Sequence, residues 1–593
     1  MNRAAVPEDD RAQTLGTLIA ALTPLLAMLA VVSAFPPVAG GDSAIAAALE
    51  LELTAPPGHP LAALAGRLCT LLPLGPLALR VGLCSALLSA VAAAALYRAL
   101  DRSLRVHAAV RALYASPLAL GLTLFVFGCE PLFAAEPRAH MAAVALGCLC
   151  LERIVAFECA WPRLELATLR AAGLWWALLV AEQPALAAAV LVAALPSLRR
   201  LLSGYRLPLA NLAPLALGLP LWLYGVLARG SPLGLPAGSL ASRLGAAFAP
   251  ASATAAWPPA PEPVGPDPVW LTALVVLFVV IGLRARALRR IGLPWLWLAL
   301  SALLGASVLE RAAALHALAL CACAALATLA CGAPLAGSSR SRLAVALALL
   351  SVALGVTQLQ ATARAARMHD PGSADVLGDA LRRTLPARSA LLLGDALARA
   401  QRDAESLERV RPDLLFALKP WLLPLEAAQR VAARNRELLP LLRAELLDSA
   451  RQAASSNAPP LFELAALAAR RPVLIELAPG HERALHPSLL PFGPYHQVST
   501  SSVGKADFLF AERESEQRWS RLYAALGPSQ LDAATVQLLA ERHAAQADYA
   551  HSLADPELAQ HAFAHLARLP LTPAAQRQLE ALVKSRPPDT PRP

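Results

Sequence analysis

Long apolar runs separated by short, arginine-bearing segments dominate the first 360 residues. They lie near 14–35, 79–99, 108–128, 138–157, 207–227, 268–283, 291–308, 312–331 and 343–360. Each approaches the ~20 residues that span a hydrocarbon core. The stretch 164–198 is too long for one helix and is interrupted by Glu182-Gln183-Pro184, so it predicts two helices meeting at a tight turn. The expectation is a polytopic α-helical membrane protein of about eleven spans. Its first run is read as a retained anchor, because it lacks a strongly basic start and a small-residue cleavage site.

Beyond about residue 370 the apolar runs shorten and charge rises. SALLLGD at 389–395, PDLLFAL at 412–418 and PVLIEL at 472–477 have the length and bounding of strands, and 422–455 reads as helix. From 513 onward the pattern is helical, with Gly527-Pro528-Ser529 and Leu571-Thr572-Pro573 as helix starts, and the end SRPPDTPRP predicts disorder. This divides the chain into a transmembrane part (1–362), a small α/β domain (363–510), a helical hairpin region (511–580) and a disordered tail (581–593).

Composition supports lipid as part of the solvent. Hydrophobic residues make up 57% of the 593 and charged residues 16%, with a mean hydropathy of +0.51, more apolar surface than a water-soluble core hides. The net charge of +10 does not mark a nucleic-acid binder: Lys419, Lys505 and Lys584 are the only lysines, and the arginines are scattered between apolar runs. With the N-terminus inside, arginines gather in the inner loops (98–105, 153–170, 199–206, 284–290, 340–342), while Arg67, Arg138, Arg229, Arg243 and Arg311 fall outside. That parity puts the C-terminal domain outside the cytoplasm, in a bacterial inner membrane. All nine cysteines precede residue 332, and Cys148 with Cys150, or Cys321 with Cys323, read as small apolar filler.

Asp42, in the segment FPPVAGGDS after the first run, is an acid placed where a span ends. A carboxylate there stays wet and can act as a base toward a substrate half-seated in lipid. Asp42-Ser43 equally suits the cap of an amphipathic helix over 44–53. Glu182 stands out because a carboxylate inside an apolar hairpin is costly unless it meets water or a partner. Tail histidines His543, His551, His561 and His565 read as surface residues.

GDS at 41–43, PPGHPL at 56–61 and LLPLGPLALRVGLCSALLSAVAAAALY at 71–97 resemble, in order, the N-terminal signature of the transmembrane protein 260 family. Glu136, Arg229 and VRPDL at 410–414 are similar to further family positions. The resemblance implies the GT-C fold of polytopic, lipid-sugar-dependent glycosyltransferases and protein O-mannosyltransferase activity. The chain departs from the family at Ile45, Ala55, Glu182-Gln183 and Gly265-Pro266-Asp267-Pro268, where a glutamate, a histidine, an Asn-His pair and a Trp-Gly-Asp-Pro motif are usual.

For such a transfer the partners are a polyprenyl-phosphate-linked sugar donor, a protein acceptor and the bilayer. Asp42 would take the acceptor hydroxyl's proton as it attacks the anomeric carbon, inverting the configuration. The leaving phosphate wants cations, with Arg229 first and Arg138 and His59 behind it. Glu136 and Glu182 are further substrate- or donor-binding candidates, Glu182 positioning the acceptor or a metal. No cofactor is expected; only a diphosphate-linked donor would favour a divalent ion, with Glu130, Glu136 and Glu182 as ligands. A transporter would place its ionisable groups near the midplane and show internal repeats, neither of which is evident. A catalytically diverged membrane protein acting in envelope assembly or transport is the alternative.

Overall fold

The computed structural model describes residues 10–34, 60–74, 77–106, 112–128, 141–161, 166–204, 213–216, 218–221, 341–369, 373–393, 411, 413–418, 461–477, 483–500, 503–526, 531, 533–553 and 555–569. The chain divides into two compact units, residues 1–230 with 237–368, and residues 231–236 with 369–593.

The first unit is helical among its described residues: α1 (Asp10–Ala34), α2 (Pro60–Thr70), α3 (Leu77–Val106), α4 (Ala112–Phe127), α5 (Met141–Ala160), α6 (Leu166–Glu182), α7 (Pro184–Gly204), the single turn α8 (Ala213–Ala216) and α9 (Ser341–His369). Helix α3 is the hub, touching α1, α2, α4 and α5. Its buried face is mostly alanine, with Ala86, Ala92, Ala93, Ala95 and Ala99 joining Ala143 and Ala145 of α5 in one core. Small side chains bring helix backbones close, the packing that suits a bundle whose outer solvent is not water. The extreme case is α4 against α9. A Cβ at Gly121 would strike the Ser351 and Val352 backbone, one at Gly355 would strike the Gly121 carbonyl, and one at Gly128 would lie 2.7 Å from the Leu359 nitrogen.

Some large apolar side chains of this unit also face outward: Leu15, Leu18, Ile19, Leu22 and Leu26 on α1, and Leu191, Leu195, Leu198 and Leu202 on α7. Both sets follow the i, i+3/i+4, i+7 spacing of one helix face.

The expectation of about eleven spans is overturned. Among the described residues two helices are long and apolar enough to cross a membrane, Arg80–Arg105 and Leu186–Ser203. The reason is that apolar runs mark helices but not their reach. Helix α4 has 16 residues, about 24 Å at 1.5 Å per residue, short of a hydrocarbon core. Among the described residues the shorter apolar helices Gln13–Leu29 and Leu349–Ala361 lie within α1 and α9. Helix α5 carries Glu152, Arg153 and Glu158 in its body, and α6 has 17 residues and ends on Glu182. The runs at 268–283, 291–308 and 312–331, and most of 207–227, lie outside the described residues. The inside-outside parity built on eleven crossings goes with the count.

At the interrupted stretch, α6 and α7 do meet with Gln183 alone between them. Pro184 opens α7, where its missing N–H costs nothing, and the indole of Trp176 donates back across the turn to the Ala187 carbonyl at 3.0 Å. At the arginine-rich helix ends, buried acids hold the cations. Glu152 pairs with Arg102 at 3.0 Å and with Arg153 at 2.9 Å, Asp101 pairs with Arg105 at 3.0 Å, and Glu158 pairs with Arg200.

The second unit is α/β: α10 (Ser373–Thr384), β1 (Ala390–Leu393), β2 (Leu415–Leu418), α11 (Leu461–Ala468), β3 (Val473–Ile475), a 3₁₀ turn Arg483–Ser488, β4 (Leu489–Phe492), β5 (Tyr495–Val498), α12 (Lys505–Leu526), α13 (Ala533–Ser552) and α14 (Pro556–Arg568). The strand order is β2-β1-β3-β5-β4, with β1 parallel to β2 and β3, and β5 antiparallel to β3 and β4. All three strands expected from the sequence are present. The period-2 alternation splits them between two cores: Ala390, Leu392, Val473 and Ile475 pack with Tyr549 and Leu558, and Leu391, Leu393 and Leu474 pack with Leu377, Trp519 and Leu539. The helices after residue 504 thus close both faces of the sheet.

The β4–β5 hairpin went unseen in the sequence because SLLPFGPYHQV contains three turn signals and few alternations. Pro491 is tolerated because β4 is an edge strand. Gly493 turns the hairpin at φ +63°, where a side chain is strained. The start of α14 was also missed. Asp555 caps it, accepting from the Glu557 and Leu558 amides, with Pro556 in the first turn. The proposed helix starts at 527–529 and 571–573, the helix over 422–455 and the tail 581–593 lie outside the described residues.

Candidate functional site

Of the residues singled out for chemistry, Glu182 is described; Asp42, His59, Glu130, Glu136, Arg138 and Arg229 lie outside the described residues. Glu182 closes α6 and is 0% exposed. Its Oε2 accepts the Leu61 amide at 2.8 Å, and its two oxygens accept the Ala62 amide at 3.3 and 3.4 Å. These are first-turn amides of α2, which have no partner within their own helix. A carboxylate removed from water needs hydrogen bonds or charge in return, and a helix N-terminus supplies both.

Helix α2 buries Pro60, Ala63, Gly66, Cys69 and Thr70 and exposes Leu64 and Leu68. At its far end the Arg80 guanidinium donates to the Thr70 carbonyl and, just beyond, to the Leu74 carbonyl, each at 3.0 Å. Cys69 and Cys84, both free and buried, meet between α2 and α3. Arg80 and Glu182 thus engage opposite ends of an 11-residue helix. The sequence marked Arg80 only as part of a family motif; nothing local announces that it closes the preceding helix.

In the second unit, Glu476 just after β3 forms a buried ion pair at 2.8 Å with Arg542 of α13, which also donates to the Leu477 carbonyl at 2.8 Å. The signal for it was a glutamate inside the apolar run PVLIEL. In VRPDL, Arg411 grips Asp413 through Nε and Nη2 at 2.8 and 2.9 Å. Asp413 in turn accepts the amide of Arg388 at 2.9 Å, holding that residue in the left-handed region at φ 57°. These bonds, the guanidinium's first, keep the Asp413 carboxyl well below the usual carboxylate range. That motif is a brace between β2 and the turn before β1.

The tail histidines are not all surface residues. His543 is wholly buried, hydrogen-bonded to the Tyr523 hydroxyl at 2.7 Å, with its ring 4.1 Å from Trp519 and 4.9 Å from His565. Burial, aided by His565, pulls its pKa down to about 3 against a hydrogen bond from Gln546. His565 reaches Glu516 at 3.2 Å, and this bond holds the Glu516 carboxyl below its ordinary range. His543 and His565 lie in the contact between helices, whereas His551 and His561 are exposed as expected. Among the described residues no group of three or more His, Cys, Asp or Glu side chains is disposed to hold a metal ion.

Residues 42–127 match the family model described as the protein O-mannosyl-transferase TMEM260 N-terminal domain. The resemblance read from the motifs is therefore shown over this segment, which begins at Asp42 and takes in α2, α3 and α4. A search of curated proteins finds no match for the chain.

Proposed function

We propose that the chain is a membrane glycosyltransferase that moves mannose or a similar sugar from a polyprenyl-phosphate donor to a protein hydroxyl. The observation that carries this reading is the family match, whose first residue is Asp42. The outward leucine faces of α1 and α7 support a lipid surrounding, where a donor with a polyprenyl tail resides.

In this reading Asp42 is the general base. It takes the acceptor's hydroxyl proton while the oxygen bonds to the anomeric carbon, and the sugar–phosphate bond breaks on the opposite face, inverting the configuration. General-base assistance of this kind contributes ~10²–10⁴ in rate. The departing phosphate keeps the electron pair, and Arg229 is the first cation for it, with Arg138 and His59 next. Glu136 is a further substrate- or donor-binding candidate.

The test uses membrane vesicles holding the full chain, radiolabelled polyprenyl-phosphate sugars and an acceptor protein. Label should enter protein with the wild type. Asp42→Asn should lower transfer at least ~10²-fold at unchanged membrane insertion. Full activity in Asp42→Asn removes it from the mechanism, and no transfer by the wild type from any such donor overturns the reading.

A further inference from the structure

We propose that Glu182 and Arg80 are positioning residues that clamp α2 by its two ends, fixing where the chain from the Asp42 segment enters the helical body. The kinetic part rests on the transferase reading; the clamp itself does not.

Glu182 reaches α2 from 121 residues away in sequence, so α2 is tied to the α6–α7 hairpin as well as to its chain neighbour α3. The tie is made through both oxygens of a carboxylate that water does not reach. Arg80, in the first turn of α3, holds the opposite end through two carbonyls. An anion at the N-terminus and a cation at the C-terminus each complement the helix dipole, so the two contacts favour the same placement and orientation of α2. Orientation matters for what precedes it. His59 is joined directly to Pro60, and Asp42 lies 18 residues before Pro60, so the anchored end of that segment is the first turn of α2. Reacting groups must be held within fractions of an ångström for a proximity-driven transfer, and a clamp remote from the chemistry can set that geometry. Glu182 is thereby a residue that acts through α2 and need not touch donor, acceptor or metal.

Hydrogen–deuterium exchange on the full chain in lipid nanodiscs, joined to the vesicle transfer assay, tests this. Glu182→Ala should speed exchange of the amides within 61–64 by about tenfold or more, the scale of a lost charge-assisted hydrogen bond, while α13 and α14 keep wild-type protection. Arg80→Ala should do the same at 68–74. Glu182→Gln, which keeps a carbonyl acceptor without the charge, should restore most of the protection and part of the transfer rate. Both alanine variants should lower kcat by about tenfold with donor KM unchanged. Wild-type exchange at 61–64 in Glu182→Ala would overturn the clamp. So would a donor KM that rises as far as transfer falls, since the carboxylate would then belong to the donor site. If the wild type transfers no sugar, the transferase reading fails, while the exchange pattern still decides the clamp.

Discussion

The two units differ most in what they leave outside. In the first, alanine is the commonest residue of the described core, beside Leu96, Leu100, Leu104, Tyr97 and Phe127, and rows of further leucines stand outside. In the second, the interior holds Trp519, Tyr495 and Tyr549 beside leucines, and the exposed large apolar side chains among the described residues are Val376, Leu509, Phe510 and Phe563. The first core thus adds close backbone approach at small residues and paired charges to the burial of leucines and rings. The second draws on aromatic burial in the ordinary way of a water-facing domain. The rows of outward leucines on α1 and α7, which the second unit lacks among its described residues, suit a different outer solvent.

The contrast is open to four measurements. Trp519→Ala removes a wholly buried ring that lies tilted against His543, centroids 4.1 Å apart. It should cost the second unit about 3–5 kcal/mol, read as the loss of exchange protection in α12–α14 with the first unit unchanged. A loss below about 1 kcal/mol would show that the aromatic core does not hold that unit.

Leu22→Asp places a charge on the outward face of α1. It should cost about 2.5–3.5 kcal/mol in apparent insertion, whereas Leu509→Asp on α12, also at an exposed leucine, should change stability by less than about 0.5 kcal/mol. Carbonate extraction and thermal melts compare them. Equal tolerance of both substitutions would abolish the distinction of solvents.

Gly121→Leu should cost about 1–3 kcal/mol in the first unit, because the new side chain meets the α9 backbone rather than a flexible neighbour. Detergent melting curves would show it, and a neutral result would mean that α4 and α9 separate readily.

The last measurement is one of pH. His543 stays neutral in the fold down to about 3, while an unfolded histidine protonates near 6.5. Between those values the unfolded chain binds the extra proton. Stability of the second unit should therefore fall as pH drops, by up to about 1.4 kcal/mol per pH unit from this group. His543→Gln should flatten that slope in urea titrations at pH 6.5 and 4.5. An unchanged slope would assign the acid sensitivity elsewhere.

Read from the sequence alone, the helical first part, the break at Glu182-Gln183-Pro184, the strands β1, β2 and β3 and the family resemblance at Asp42 onward were all legible. Apolar periodicity, proline placement and motif order are local, and these features depend on them. The number of crossings was not legible, because an apolar run does not state how far its helix extends, as the 16 residues of α4 show. The hairpin of β4 and β5 was hidden by prolines that only an edge position makes harmless. Glu182 was visible as a costly charge, but its partners are the amides of Leu61 and Ala62, 121 and 120 residues away. Likewise His543 looked like part of an exposed helical face until α12 and α14 covered it. What a residue type demands, whether a buried carboxylate needing donors or an imidazole needing a neighbour, follows from its own chemistry and is fixed by the sequence. Which distant group answers that demand depends on how the chain closes on itself, and that only the tertiary structure decided.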